Sequence, residues 1–370
     1  MPRTATAAIV DAVGEPFTLD EITLEDPRPD EVVVRMVASG ICHTDLSLRD
    51  GVIPFPLPGV FGHEGAGIVE DVGPQVRTVR PGHRVLLSFT SCGSCRNCGS
   101  GHPAYCETFV PRNVVGGKRA DGSSPLSRAG KDLGAHFFGQ SSFSTLAVVD
   151  ERSTVKVGAD ADLATLAPLG CGVQTGVGTV LNELKPEPGS VLAVFGSGAV
   201  GLSAIMGAAL SAAEMIIAID LVESRLELAR ELGATHVINA ANVDMAEALR
   251  ELTHGRGIDC GVDTTGNTKV VEKELRTLAV RGTLAAVGVP PAGSTAAVNV
   301  TALLNGQRFI GVTEGSANPA RFIPVLASLV AQGRLPIERM IERFAFPDIN
   351  KAADATASGQ IIKPVLLFED

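Results

Sequence analysis

The segment Phe195-Gly-Ser-Gly-Ala-Val-Gly201 constrains the fold more tightly than any other part of the chain. It follows an apolar run, Ser190-Val-Leu-Ala-Val-Phe195, and opens onto a helix-compatible stretch, Leu202 to Leu210. Continuous apolar runs of this kind suit strands of a parallel sheet covered on both faces. Gly196 permits a tight turn, Gly198 lets backbone approach a pyrophosphate, and Gly201 lets the helix close on the strand. The first N–H groups of that helix remain free to bind phosphate. A second apolar run, Met215-Ile-Ile-Ala-Ile-Asp220, ends in a carboxylate placed to hold the ribose hydroxyls of a dinucleotide. Asp220 would repel a ribose 2′-phosphate, and Leu221 and Val222 supply no cation to offset it. NAD is therefore expected over NADP, with Arg225 the one nearby group able to assist a phosphate.

The rest of the chain has two textures. Ile258-Asp-Cys-Gly-Val-Asp263 and Thr283-Leu-Ala-Ala-Val-Gly288 continue the buried-strand pattern, and Ser224–Gly233 reads as an amphipathic helix stopped by glycine. Before about residue 172, short β-rich runs alternate with Gly and Pro turns: Glu31–Val37, Gly67–Val72 and Arg84–Leu87. These predict an antiparallel β domain. The apolar tail Pro364–Phe368 can add a strand to it. The expected organisation is a discontinuous domain, 1–172 with 314–370, enclosing a dinucleotide-binding domain, 173–313. The length of 370 residues supports two cores.

Composition excludes several classes of function. Hydrophobic residues are 45% and charged residues 19%, too apolar for wholesale disorder. A net charge of −10 with no basic block argues against nucleic acid. No apolar run reaches the ~18 residues of a membrane span, and the start of the chain has no secretory core. A cytoplasmic protein is expected.

Four of the seven cysteines cluster in Cys92-Gly-Ser-Cys-Arg-Asn-Cys-Gly-Ser-Gly-His-Pro-Ala-Tyr-Cys106. Two-residue gaps turn Cys92, Cys95 and Cys98 back onto one ion, and Cys106 can complete a closed tetrahedral zinc site. An iron–sulfur cluster or free thiols are the alternatives. His102 reads as a surface turn residue. Three further stretches carry chemistry: Gly40-Ile-Cys-His-Thr-Asp45, Gly62-His-Glu-Gly-Ala-Gly67 and Pro168-Leu-Gly-Cys-Gly-Val-Gln-Thr-Gly176. Each alone has an ordinary reading, since an isolated Cys is usually packing and an isolated His a hydrogen-bonded filler. Together, Cys42, His63 and Cys171 would supply the three ligands of a catalytic zinc with an open position.

In this order and along nearly its whole length, the chain resembles the zinc-dependent medium-chain alcohol dehydrogenases. The resemblance implies a GroES-like β domain and a Rossmann domain. It implies a catalytic zinc on Cys42, His63 and Cys171, a structural zinc on the four clustered cysteines, and Glu64 able to approach the catalytic metal. Asp45 would orient His63. The stretches quoted above, with Phe137-Phe-Gly-Gln-Ser-Ser-Phe143, are most similar to aryl-alcohol dehydrogenases and their relatives acting on allylic terpenols such as geraniol. Primary aromatic or allylic alcohols and their aldehydes are the implied substrates.

By position within that family, Thr44 would take the alcohol proton, with Ser47 where many relatives carry a relay histidine. His43 would face the pyrophosphate, so NAD affinity is expected to weaken as pH rises through neutrality. Thr175, Val200, Val287 and Val289 would contact the coenzyme, and Lys363 would reach the pyrophosphate. Ile53, Phe89, Phe138 and Val289 would wall the pocket, and Cys260 would serve as packing. A homodimer or homotetramer is implied. A thiol-adduct formaldehyde dehydrogenase, with Arg112 on the adduct's carboxylate, is the rival activity. A zinc-free reductase of the same superfamily would not need Cys42, His63 and Cys171.

Overall fold

The computed structural model describes residues 3–369. The chain divides into two compact units. One comprises the chain up to Cys171, Asn318–Gly333 and the stretch from Ile337 onward; the other comprises Gly172–Ala317 and Arg334–Pro336. The chain leaves the second unit at Ala317 rather than at 313 because the turn Glu314–Ser316 is tied to that unit. Gln174 Nε2 donates to Glu314 Oε2 at 3.0 Å, and Asn182 Nδ2 to the Gly315 carbonyl at 3.0 Å.

The second unit is a six-stranded sheet in which every pairing is parallel. Across the sheet the strands run His236–Asn239, Met215–Asp220, Val191–Phe195, Ile258–Asp263, Leu278–Ala286 and Arg308–Gly311. Strand order reverses beside Val191–Phe195, so the carboxyl end of that strand is the switch point where such sheets bind ligands. The sequence places the strand after Ile258–Asp263 at Thr283–Gly288; in the structure it begins earlier, at Leu278, across a register shift between Ile258 and Cys260.

In the first unit, Glu31–Gly40 is the central strand. It pairs antiparallel with Glu64–Val72, with Leu146–Asp150 and, at its end, with the C-terminal strand Lys363–Leu367. The tail strand thus joins the first unit through Val365, Leu366 and Leu367 opposite Gly40, Ser39 and Ala38. A second sheet, centred on Arg3–Val10 and Thr18–Leu24, packs its inner residues into the same core. Pairing the tail beside Gly40 brings Lys363 next to the loops that carry Cys42 and Glu64.

Candidate active site and metal centres

The strand Glu31–Gly40 delivers Cys42 one residue beyond Ile41, at the N-cap of helix His43–Arg49. His63 immediately precedes the strand Glu64–Val72, and Cys171 closes the short helical turn Ala167–Gly170. One ligand atom from each of Cys42, His63 and Cys171 lies within 4.8 Å of the others. Asp45 ties two of these loops together. Its Oδ2 accepts from the Cys42 N–H at 2.9 Å, and its Oδ1 accepts from the Gly62 N–H at 3.0 Å. The same Oδ1 lies 3.0 Å from His63 Nδ1, which turns Nε2 toward the two sulfurs. Nε2 is buried and has no partner within the protein. An orphaned imidazole nitrogen beside two thiols suits a zinc ion. A hydrogen bond with Cys171 pulls the Cys42 thiol well below its usual range; burial opposes it, and His63 and Lys363 reinforce it. A lowered thiol favours the thiolate that binds metal.

Glu64 and Lys363 lie beneath this cluster. Lys363 Nζ donates to both Glu64 carboxylate oxygens at 2.9 Å and to the Ile41 carbonyl at 3.2 Å. Both side chains are buried. Burial works against the Lys363 charge, yet Glu64 and Cys42 hold the ammonium above its ordinary range. In this structure its three hydrogens are directed to Glu64 and the Ile41 carbonyl, partners that the sequence expectation for Lys363 did not include. Gly40 makes the arrangement possible, because a Cβ there would fall 2.0 Å from Glu64 Oε2.

Aromatic rings cover His63. Phe138 lies over the imidazole with centroids 4.7 Å apart and planes 31° apart, and Phe137 meets it edge-on at 5.0 Å. Phe138 sits at a positive φ of 52°, a costly conformation for a bulky residue, in a turn pinned from several sides. The Phe137 N–H donates to Ser141 Oγ at 3.0 Å, and Ser153 Oγ donates to the Phe138 carbonyl at 3.2 Å. Buried Gln140 donates to the carbonyls of His63 (3.0 Å) and Ser88 (3.2 Å) and accepts from the Gly65 N–H (3.1 Å). Sequence reasoning gave Gln140 and Phe137 no role. The available signal was a run of small polar residues, Gly139-Gln-Ser-Ser142, between phenylalanines. Phe89 and Phe138 belong to the core of this unit, with Ile53 partly buried against it.

The second cluster is self-contained. Sulfurs of Cys92, Cys95, Cys98 and Cys106 lie within 4.8 Å of one another. Backbone N–H groups point at the sulfurs: Cys95 N–H to Cys92 at 3.3 Å, Cys98 N–H to Cys95 at 3.5 Å, and Cys92 N–H to Cys106 at 3.3 Å. Such donors lower the Cys92 thiol to about 5, those of Ser94 and Cys95 most strongly. Burial, with Cys95 adding, lifts Cys98 to about 12. Cys92 and Cys95 shifted down beside a Cys98 shifted up is a mismatch that a divalent cation removes. His102 is exposed and outside the ligand set.

In the second unit, Gly196 has φ 91°, and a Cβ on Gly201 would fall 1.8 Å from the Gly196 carbonyl oxygen. A Cβ on Gly198, the N-cap of helix Ala199–Ala209, would meet nothing within 4 Å, so the loop presents backbone to open space. Asp220 Oδ2 accepts from the Ser197 N–H at 2.6 Å, and Oδ1 accepts from the N–H groups of Leu221 and Val222. Thr175 is buried, Val200, Arg225 and Val287 are partly buried, and Val289 is 75% exposed. His43 is exposed on the first turn of its helix, with Thr44 and Ser47 partly buried beyond it. Cys42 Sγ lies 3.7 Å from Thr44 Oγ1.

Comparison with known proteins agrees with this geometry. Residues 28–159 match an alcohol dehydrogenase GroES-like domain, and residues 199–331 a zinc-binding dehydrogenase domain. The chain belongs to the zinc-binding alcohol dehydrogenase family and is an oxidoreductase of that class. It is 44% identical over 366 residues to geraniol dehydrogenase of Castellaniella defragrans, covering 98% of each chain. Among solved structures, an alcohol dehydrogenase zinc-binding domain protein from Burkholderia ambifaria matches at 46% identity, a TM-score of 0.97 and full coverage of both chains. Benzyl alcohol dehydrogenase from Acinetobacter calcoaceticus matches at 43% identity and a TM-score of 0.95, over 99% of this chain and 100% of its own. Among the described residues, no helix is long and apolar enough to cross a membrane.

Proposed function

We propose that the protein interconverts primary aromatic or allylic alcohols, of the benzyl alcohol and geraniol type, with their aldehydes, using NAD and two zinc ions per chain. The observation that carries the reading is the buried, unpartnered His63 Nε2 between Cys42 and Cys171, with Phe138 laid over the same imidazole. Zinc bound by these three residues would supply a Lewis acid to the substrate oxygen, and NAD would accept the hydride released from the carbinol carbon. Asp45 fixes the His63 tautomer and ring direction. Thr44, beside Cys42, takes the hydroxyl proton; with Ser47 rather than an imidazole further along the helix, that proton leaves through water. Phe138 excludes water and favours flat substrates through ring contacts of ~1 kcal/mol. The Gly196–Gly201 loop binds the pyrophosphate, and Asp220 the adenosine ribose. Thr175, Val200, Val287 and Val289 are assigned to the coenzyme, and His43 to its pyrophosphate.

The relatives named for geraniol and benzyl alcohol support the substrate class. Arg112, which a thiol-adduct substrate would need, instead donates to Thr108 Oγ1 at 3.0 Å along its own helix. Two further features complete the reading. Seven free cysteines suit the reducing cytoplasm. The edge strand Arg308–Gly311, with Phe309 40%, Val300 71% and Leu304 85% exposed nearby, suits pairing with a second copy as a homodimer or within a tetramer. The test compares kcat/KM for benzyl alcohol, geraniol, ethanol and an S-hydroxymethyl thiol adduct. The first two are expected to exceed the others by roughly 10-fold or more; preference for the adduct would replace this reading.

A further inference from the structure

The second unit hides a carboxyl group that the proposed chemistry does not use. Glu274, on helix Thr268–Leu275, is fully buried, and neither carboxyl oxygen has a hydrogen-bond partner. Asp263, also buried, ends the strand Ile258–Asp263 and is far better provided. Its Oδ1 accepts from the Thr265 N–H (2.9 Å) and hydroxyl (2.6 Å), and its Oδ2 accepts from the Gly266 N–H (3.3 Å). Its main-chain carbonyl accepts from the N–H groups of Val287 (2.9 Å) and Gly288 (3.0 Å). One residue therefore ties together the turns that follow two adjacent strands. The nearer turn is seated on the glycine loop: the Thr264 hydroxyl donates to the carbonyls of Phe195 (2.8 Å) and Gly196 (3.1 Å).

We propose that Glu274 is a positioning residue for the dinucleotide cradle: as an uncharged carboxyl it lets Asp263 hold the Thr264–Gly266 turn against Gly196, and as a carboxylate it would force that turn away. The role rests on the dinucleotide reading of the glycine loop. Asp263, with three donors, ionises first. Glu274 must then ionise next to an existing negative charge with no donor of its own. Burial first, and the Asp263 charge second, push it up to about 9. Among the described residues, Asp263 is the one charged group that shifts it. Lys269 and Lys273 on the same helix are exposed, Glu272 accepts from the Ala297 N–H, and Arg281 on the strand Leu278–Ala286 is exposed. Glu274 is thus neutral at ordinary pH, and the cradle depends on its proton.

The test follows NADH binding to the full-length, zinc-loaded protein by NADH fluorescence. For wild type, Kd is expected to rise about three- to tenfold between about pH 8 and about pH 10, a single linked proton allowing at most about tenfold per pH unit. Glu274→Gln, whose amide cannot ionise, is expected to show a flat profile over that range. Infrared spectroscopy gives a readout free of ligand and of turnover. A buried protonated-carboxyl band should persist in wild type near pH 8, fade around the value of about 9, and be missing from Glu274→Leu. An equal rise of Kd in wild type and Glu274→Gln, or absence of that band from wild type, overturns the role of Glu274 alone. Failure of wild type to bind NADH at any pH overturns the dinucleotide reading, and the cradle role with it.

Discussion

Lys363 Nζ bridges both carboxylate oxygens of Glu64 at 2.9 Å, in a space where neither side chain is more than 2% exposed. Removing one partner strands the other charge in the interior. Lys363→Met is therefore expected to lower unfolding free energy by about 3–5 kcal/mol, and Lys363→Met combined with Glu64→Gln to recover most of that loss. Urea denaturation of the single and double variants checks both.

A second buried ion pair anchors the segment leading to Phe138. Arg119 Nε and Nη2 donate to Glu31 at 2.6 and 2.7 Å, Arg119 also pairs with Glu25, and His136 Nε2 lies 3.6 Å from Glu31 Oε1. Burial opposes the Glu31 charge, but the adjacent His136 imidazole, with bonds from Arg119 and the Arg28 N–H, outweighs it and brings the carboxyl down to about 2. A carboxyl held lower in the folded than in the unfolded state contributes stability above its ordinary value of 4.5. That contribution is lost as pH falls toward about 2. Arg119→Met is expected to cost about 3–5 kcal/mol at neutral pH. It should also move acid unfolding to higher pH, as followed by circular dichroism.

The two thiol clusters should separate by metal content. Cys98→Ala is expected to lower bound zinc from about two to about one per chain and to reduce Tm. Cys42→Ala is expected to remove the other ion and abolish turnover, with the smaller change in Tm. Elemental analysis and thermal denaturation of both variants distinguish the sites.

Asp220 holds the Ser197 N–H and, on the proposed NAD reading, would also repel a 2′-phosphate. Asp220→Ser should therefore weaken NAD while shifting the NADP-to-NAD ratio of kcat/KM upward by roughly tenfold. An unchanged ratio would assign discrimination elsewhere.

His43 is the exposed imidazole expected at the pyrophosphate. NADH Kd should therefore rise in His43→Gln relative to wild type, as measured by fluorescence titration; an unchanged Kd would remove the imidazole from the coenzyme site.

Motifs whose function depends on local geometry were legible in the chain. The Cys92–Cys106 spacing closes a site within one loop, and the strand, glycines, helix and acid from Val191 to Asp220 fold as one consecutive unit. The tail strand was legible too, because an apolar run must be buried somewhere. Interactions between distant residues were not. Lys363 reads as a cation for an anionic ligand until the tail strand, with Val365 opposite Gly40, sets it against Glu64. Gln140 and Arg119 are polar residues whose partners lie 52 to 94 positions away, beyond any local period.

By itself, then, the order of residues determined the two units, the glycine loop and the clustered cysteines, because backbone conformation and short-range spacing set these. Tertiary structure alone decided which charges are buried against which: Lys363 on Glu64, Arg119 on Glu31, and Glu274 left unpaired near Asp263. Burial removes the water that would otherwise make those charges independent. Their chemistry therefore belongs to contacts that exist only once distant strands have met.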